Sequence, residues 1–289
     1  MVQSTTSAYL AVATNIAAQQ NATAGQADVK SATAYYLANI GKVTTVSQFV
    51  NNYQLFSYAM KAYGLEDMTY AKGLMIKVLN GGVTDSKALA NTLSDPRYKA
   101  FATAFDFAGQ GAKATQATSA TSGASAKYIE QTLEDNQAKT NQGVANALYF
   151  KRNASSITSI YGLLADSTML SVVETAYGIS STLGESDIDT QAAVLSKVVN
   201  LPDFKDPTKV EKLVERYTAA YDANGSSNTT NVLLADTSNT VGSILNAANG
   251  VSTSYAPNSV LNLFNSTSSS QNGVSSSLLL SLAKLSKGG

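Results

Sequence analysis

Apolar positions recur at helical spacing along most of the chain. Met68, Ala71, Met75, Val78 and Leu79 form one stripe, which predicts a helix started by Asp67 and stopped at Gly81-Gly82. Tyr98, Phe101, Ala102 and Phe105 repeat the pattern. Here Asp95-Pro96 supplies a side-chain acceptor at the N-cap and a proline at the first helical position, where its missing N–H costs nothing. Two further stripes follow: Ile188, Ala192, Leu195 and Val199 after Glu185-Ser186-Asp187, and Val210, Leu213, Val214, Tyr217 and Tyr221 after Asp206-Pro207. Period-two alternation is scarce, so the chain reads as all-α.

Between these halves the stretch from Gly109 to Ala126 is made of small residues, and it predicts a loop or hinge. A long helix is expected from about Ser125 to Phe150, anchored by Ile129 and Leu133 at one end and by Val144 and Leu148 at the other. Its polar middle, Asn136 to Gln142, predicts either a solvated connector or a break near Gly143. From Gly225 onward Ser, Thr and Asn dominate, with small apolar clusters such as Leu278, Leu282 and Leu285. Short amphipathic helices of this kind are marginal alone, so the tail is expected to pack on the body or to order on a partner. The stretch up to about Lys30 has the same character, with Tyr9, Ala13 and Ile16 on one face.

The two halves share an order of anchors. Ala62-Tyr63-Gly64-Leu65 recurs as Ala176-Tyr177-Gly178-Ile179, Asp95-Pro96 as Asp206-Pro207, and Phe105-Asp106 as Tyr221-Asp222. The expected architecture is therefore two related helical subdomains, joined by a long helix and carrying flexible termini; the shared anchors fit either an internal duplication or chance in an Ala- and Tyr-rich chain. Its segments are an N-terminal helical or flexible segment (1–30), a first subdomain (31–108), a hinge (109–126), the long helix with the second subdomain (127–224), and a Ser/Thr/Asn-rich tail (225–289).

Composition narrows the chemistry. Among 289 residues there is no Cys and no His, and 20 basic residues balance 20 acidic ones. Disulfides, Cys/His zinc sites and Ser-His-Asp or Cys-His catalysis are excluded. Zero net charge argues against binding nucleic acid through its phosphates. The start lacks a basic region and a long apolar run, so no signal peptide is expected. No run reaches the length of a membrane span, and no membrane insertion is expected. Sequons such as Asn153-Ala154-Ser155 are then idle.

Five groups of residues invite a functional reading, and a plainer one stands beside it. Glu185-Ser186-Asp187-Ile188-Asp189 begins like a calcium loop, but Thr190 and Ser196 stand where Gly and Glu are required, and helix capping explains the acids. Gly109-Gln110-Gly111-Ala112-Lys113 lacks the spacing of a phosphate loop. Glu130 and Glu134 share a helix face beside Asp135, where their polar neighbours predict a solvated surface. Lys151-Arg152 is a lone basic pair. The 15 Tyr residues suit core edges, with some left to serve protein surfaces. No catalytic, cofactor-binding or metal residue is assigned, and no cofactor is expected.

Several runs, taken in order, resemble an uncharacterised α-helical family of alphaproteobacteria, a domain of unknown function often encoded among flagellar genes. They include Tyr35-Tyr36-Leu37-Ala38-Asn39-Ile40-Gly41-Lys42-Val43, Ala62 to Lys72, Leu93 to Tyr98, Ala147 to Arg152, Leu164-Ala165-Asp166 and Asp203 to Pro207. The likeness spans about residues 7–222. Gly143-Val144-Ala145-Asn146 departs from it, since a basic residue is expected there. The resemblance implies a non-enzymatic structural or assembly protein of the bacterial flagellum, exported without a cleaved signal peptide. It would act through helix-mediated contacts with flagellar proteins or with itself. The alternative is a cytosolic helical binding module or chaperone.

Overall fold

Most helix starts are set by an oxygen side chain a few atoms from the backbone it caps. The computed structural model describes residues 4–225. Its α-helices run, in order, α1 (Thr5–Ala13), α2 (Ile16–Ala24), α3 (Ala27–Asn39), α4 (Val46–Asn51), α5 (Tyr53–Ala62), α6 (Lys72–Gly81), α7 (Leu89–Thr92), α8 (Pro96–Ala104), α9 (Phe107–Gln110), α10 (Ser122–Ala138), α11 (Gln142–Asn153), α12 (Ile160–Leu164), α13 (Ser167–Tyr177), α14 (Ile188–Val198) and α15 (Pro207–Gly225). Short 3-10 turns join several of them, and there is no strand among the described residues. The fold is all-α. No helix among the described residues is long and apolar enough to cross a membrane.

Asp95 accepts from the Arg97 amide at the start of α8, and Asp206 accepts from the Thr208 amide at the start of α15. Both helices begin at the proline. Asp187 likewise accepts from the Thr190 amide to open α14, so this acid of the calcium-like run is a cap. Asp67 departs from expectation. It lies in a 3-10 turn, Glu66–Met68, and α6 starts only at Lys72, although it does stop at Gly81 with Gly82 at φ +61°. The turn at Gly64 is followed at once by this 3-10 turn, which uses up the residues that would have begun the helix.

The apolar stripes form two cores. In the first, Phe49 is central, with the rings of Phe56, Phe101, Phe105 and Phe107 at centroid distances from 4.8 to 6.2 Å. In the second, Phe150, Val172, Leu195, Phe204, Val214 and Tyr217 are buried together with Tyr9 of α1. Both cores belong to one unit of the chain.

The segment expected as a hinge is packed instead. Gly111–Gln116 is a 3-10 turn, and Ala114, Thr115, Ala120 and Ala124 are fully buried against the first core. Thr115 donates to the Val43 carbonyl at 2.7 Å, and the Ala120 carbonyl accepts from the Tyr36 hydroxyl at 2.6 Å. Small side chains read as loop because they carry no stripe of their own, yet they let the backbone lie against a core closely enough to bond to it. The N-terminal segment is also packed: Tyr9 of α1 is fully buried in the second core. The expected single helix across residues 125–150 is broken at Lys139–Asn141, where Asn141 caps α11 by accepting from the Val144 amide at 3.2 Å.

The repeated anchors fold into the same local devices. Gly64 and Gly178 have φ +67° and +65°. The amides of Leu65 and Ile179 each reach back five residues, to the carbonyls of Met60 and Glu174, at 2.8 Å in both cases. These are Schellman ends, which helices adopt widely, and they do not by themselves establish a duplication. The third pair diverges. Asp106 caps the adjacent α9, whereas Asp222 accepts from the Thr5 amide at the start of α1. The tail expected over residues 225–289 lies outside the described residues beyond Gly225.

Candidate functional site

α10 and α11 pack side by side, and α1 and α2 lie across them. Where the four helices meet there is a cavity of about 230 Å³. Ala13, Ile16, Leu133 and Leu148 give it apolar walls, and Gln20, Glu130, Glu134, Lys151 and Arg152 supply its polar atoms. The structure thus gathers two groups that the sequence held apart, the paired glutamates of α10 and the basic pair of α11.

Glu134 is not on a solvated face, contrary to the expectation from its polar neighbours. It is 5% exposed. Arg152 forks onto it, Nε to Oε1 at 2.7 Å and Nη2 to Oε2 at 2.6 Å, and Nη2 also donates to Gln131 at 2.8 Å. Burial pushes the Glu134 carboxyl up, and the Arg152 guanidinium pulls against that shift. Burial likewise works against the Arg152 cation, but the hydrogen bonds and charge of Glu134 outweigh it and raise its pKa. A bidentate pair of this geometry holds a planar guanidinium more firmly than a lysine could.

The network runs onward. Gln131 donates to Asp135 at 3.1 Å, and Asp135 pairs with Lys61 of α5 at 2.6 Å. α10 is therefore tied by charge to both cores. Lys151 pairs with Glu211 of α15 at 2.7 Å and lies over the Tyr9 ring. So each member of the basic pair has its own acid on a different helix, Arg152 largely buried and Lys151 still exposed. Glu130 accepts from Gln20 at 3.5 Å.

A second polar cluster lies where Gly64 approaches Tyr149, whose hydroxyl is 3.4 Å from the place a Cβ on Gly64 would take. Tyr149 donates to Asp166 at 2.7 Å, while Asp166 caps α13 through the amides of Thr168 and Met169. Arg97 grips Asp95 and donates to the Gly64 carbonyl at 2.6 Å. Both well-buried carboxylates, Glu134 and Asp166, are engaged in fixed hydrogen bonds.

The remaining candidates are plain. Gly109 of the glycine-rich run donates its amide to Asp106, which occupies the place an anion would need. Asp189 of the acidic run accepts from Tyr161 at 2.7 Å. No group of three or more acidic residues among the described residues is placed to hold a metal ion. Most tyrosines pack, as Tyr36, Tyr58 and Tyr128 do in a stack with centroid spacings of 4.2 and 3.8 Å. Tyr53 and Tyr70 instead stand 69% and 80% exposed.

A family described as a protein of unknown function, DUF1217, matches residues 62–210. The chain belongs to the DUF1217 family. The resemblance read from the sequence is thereby borne out. A solved X-ray structure of an Agrobacterium tumefaciens protein is 40% identical, with a TM-score of 0.70, and the match covers 78% of this chain and 96% of that one. No curated protein matches. Within this DUF1217 protein the matched region contains Glu130, Glu134, Lys151 and Arg152, while the α1 and α2 walls of the cavity precede it.

Proposed function

We propose that this DUF1217 protein is a non-enzymatic structural or assembly protein of the bacterial flagellum, acting through helix-mediated contacts with protein partners. The observation that carries the contact reading is the surface of α1 and α2. From Thr5 to Ala27 no side chain is charged, yet Leu10 and Ile16 stand 41% and 37% exposed there. Neutral surface with apolar side chains in water suits a protein interface, from whose core charge is depleted. The engagement of Glu134 and Asp166 in fixed hydrogen bonds supports a structural role over acid–base chemistry.

The flagellar setting rests on the gene neighbourhood that the family resemblance implies. The Cys-free composition, rich in Ala, Ser, Thr and Asn, supports it. The test is quantitative mass spectrometry of purified filament–hook–basal bodies against cytosol, paired with a clean deletion scored for swimming. Enrichment at a fixed ratio to ring or rod components, with impaired swimming on deletion, is expected. Abundance in cytosol with unchanged motility would favour the cytosolic binding module instead.

A further inference from the structure

The cavity between α2 and the α10–α11 pair is smaller than the roughly 300–1,000 Å³ typical of small-molecule sites. It is matched to one anchoring side chain, and buried anchors in pockets dominate protein interfaces. We infer that this cavity is the docking pocket for an amphipathic helix of another protein, which seats a single Leu, Met or Phe between Ile16, Leu133 and Leu148. The inference rests on the reading of helix-mediated contacts and specifies the surface and the partner chemistry.

Charge decides the occupant. Arg152 is neutralised by Glu134 and Lys151 by Glu211. The surface leading in, from Leu10 to Gln20, carries no charge. An anionic ligand head would therefore find no unpaired cation among the lining residues. Glu130 at the rim has no ion pair among the described residues, and it disfavours an acid beside the anchor while suiting a basic residue there. The Arg152 guanidinium spends Nε and Nη2 on Glu134 and Gln131, and its Nη1 donates to nothing among the described residues. A side-chain oxygen of Asn, Gln, Ser or Thr one turn from the anchor satisfies that donor. Leu10 sits one turn from the lining residue Ala13 on the same face of α1, so a helix laid across α1 and α2 meets Leu10 and the pocket at i and i+3 or i+4 spacing.

The test uses the full chain in its native host, with the photo-crosslinker benzoyl-phenylalanine placed at Leu10 and, as a control, at Tyr53 on α5. Position 10 is expected to crosslink to another protein, within a helix that has apolar residues at i, i+3 or i+4 and no acid beside the anchor. Ile16→Glu is expected to cut that yield at least tenfold while thermal unfolding stays within a few degrees. Ala17→Glu, on an exposed position, supplies the same charge if Ile16→Glu fails to fold. The inference is overturned by crosslinks to a second copy or to this chain itself, by crosslinks to an acidic or non-helical segment, by no crosslink at all, or by a yield indifferent to the added charge. A helical crosslink from a protein missing from flagellar fractions would keep the pocket and remove the flagellar setting. Flagellar enrichment without the crosslink would do the reverse.

Discussion

Arg152 and Glu134 meet through two parallel hydrogen bonds with side chains only 15% and 7% exposed. Eighteen residues separate them along the chain. Removing one partner strands the other as a buried charge, whereas removing both does not. Arg152→Ala is expected to cost about 3–5 kcal/mol. Glu134→Leu combined with Arg152→Met is expected to recover most of that loss, because apolar groups of similar volume fill the same space. Urea unfolding midpoints decide it: equal losses for the single and double variants would show that the pair is not a desolvated unit.

Gly143 has no room for a side chain. A Cβ there would lie 2.7 Å from Thr5 Cγ2 and 2.7 Å from the Tyr221 ring. Gly143→Ala must push α1 or α15 away from α11, at about 1–3 kcal/mol. Gly73→Ala in α6 meets nothing within 4 Å and is expected to stay within about 0.5 kcal/mol of the parent. Similar shifts in melting temperature for the two would refute the close approach.

Burial pushes the Tyr63 hydroxyl up to about 12, and it raises Tyr36, Tyr149 and Tyr217 further. In the unfolded chain these groups ionise near pH 10. Above that pH the unfolded state holds fewer protons than the folded one, so stability falls as pH rises. The contribution is intact below about pH 10 and is lost progressively through pH 12 and beyond. Phenolate absorbance is expected to rise in two steps, the later one coinciding with loss of helical circular dichroism. A single step near pH 10 with helix retained would mean that these hydroxyls reach water in the folded state.

Lys113 lies exposed on a 3-10 turn, between buried Phe107 on one side and buried Ala114, Thr115 and Ala120 on the other. Tryptic cleavage after Lys113 is expected to follow global unfolding across a urea series, because a protease must draw out several residues on each side of the bond. Rapid cutting there in native buffer, with the flanking helices left intact, would restore the hinge.

Local chemistry was the legible part. Asp95-Pro96, Asp206-Pro207 and Gly81-Gly82 mark helix ends because the capping groups sit within a few residues of the backbone they satisfy. Asp67 misled because a turn at Gly64 claimed the following residues first. The Gly109–Ala126 stretch misled because burial of small side chains depends on what lies opposite. The Glu134–Arg152 pair needed the α10–α11 packing, which no local pattern encodes. One signal was available: Val144, Leu148 and Arg152 fall at i, i+4 and i+8, so the guanidinium shares the stripe that faces the neighbouring helix. Glu130 and Glu134 share a face as well, but only Glu134 is buried under Arg152.

Asp222 accepts from the backbone amide of Thr5 at 2.9 Å, 217 residues away in sequence. The Tyr9 hydroxyl donates to Glu211 at the same distance. α1 is therefore synthesised well before α15, one of the two helices it packs on most extensively. At about 5–20 residues per second, the interval is on the order of 10–40 s. Throughout it Tyr9 and Val12, which end up buried, have no α15 to cover them. Burial of α1 in the second core is therefore completed only once α15 has been made.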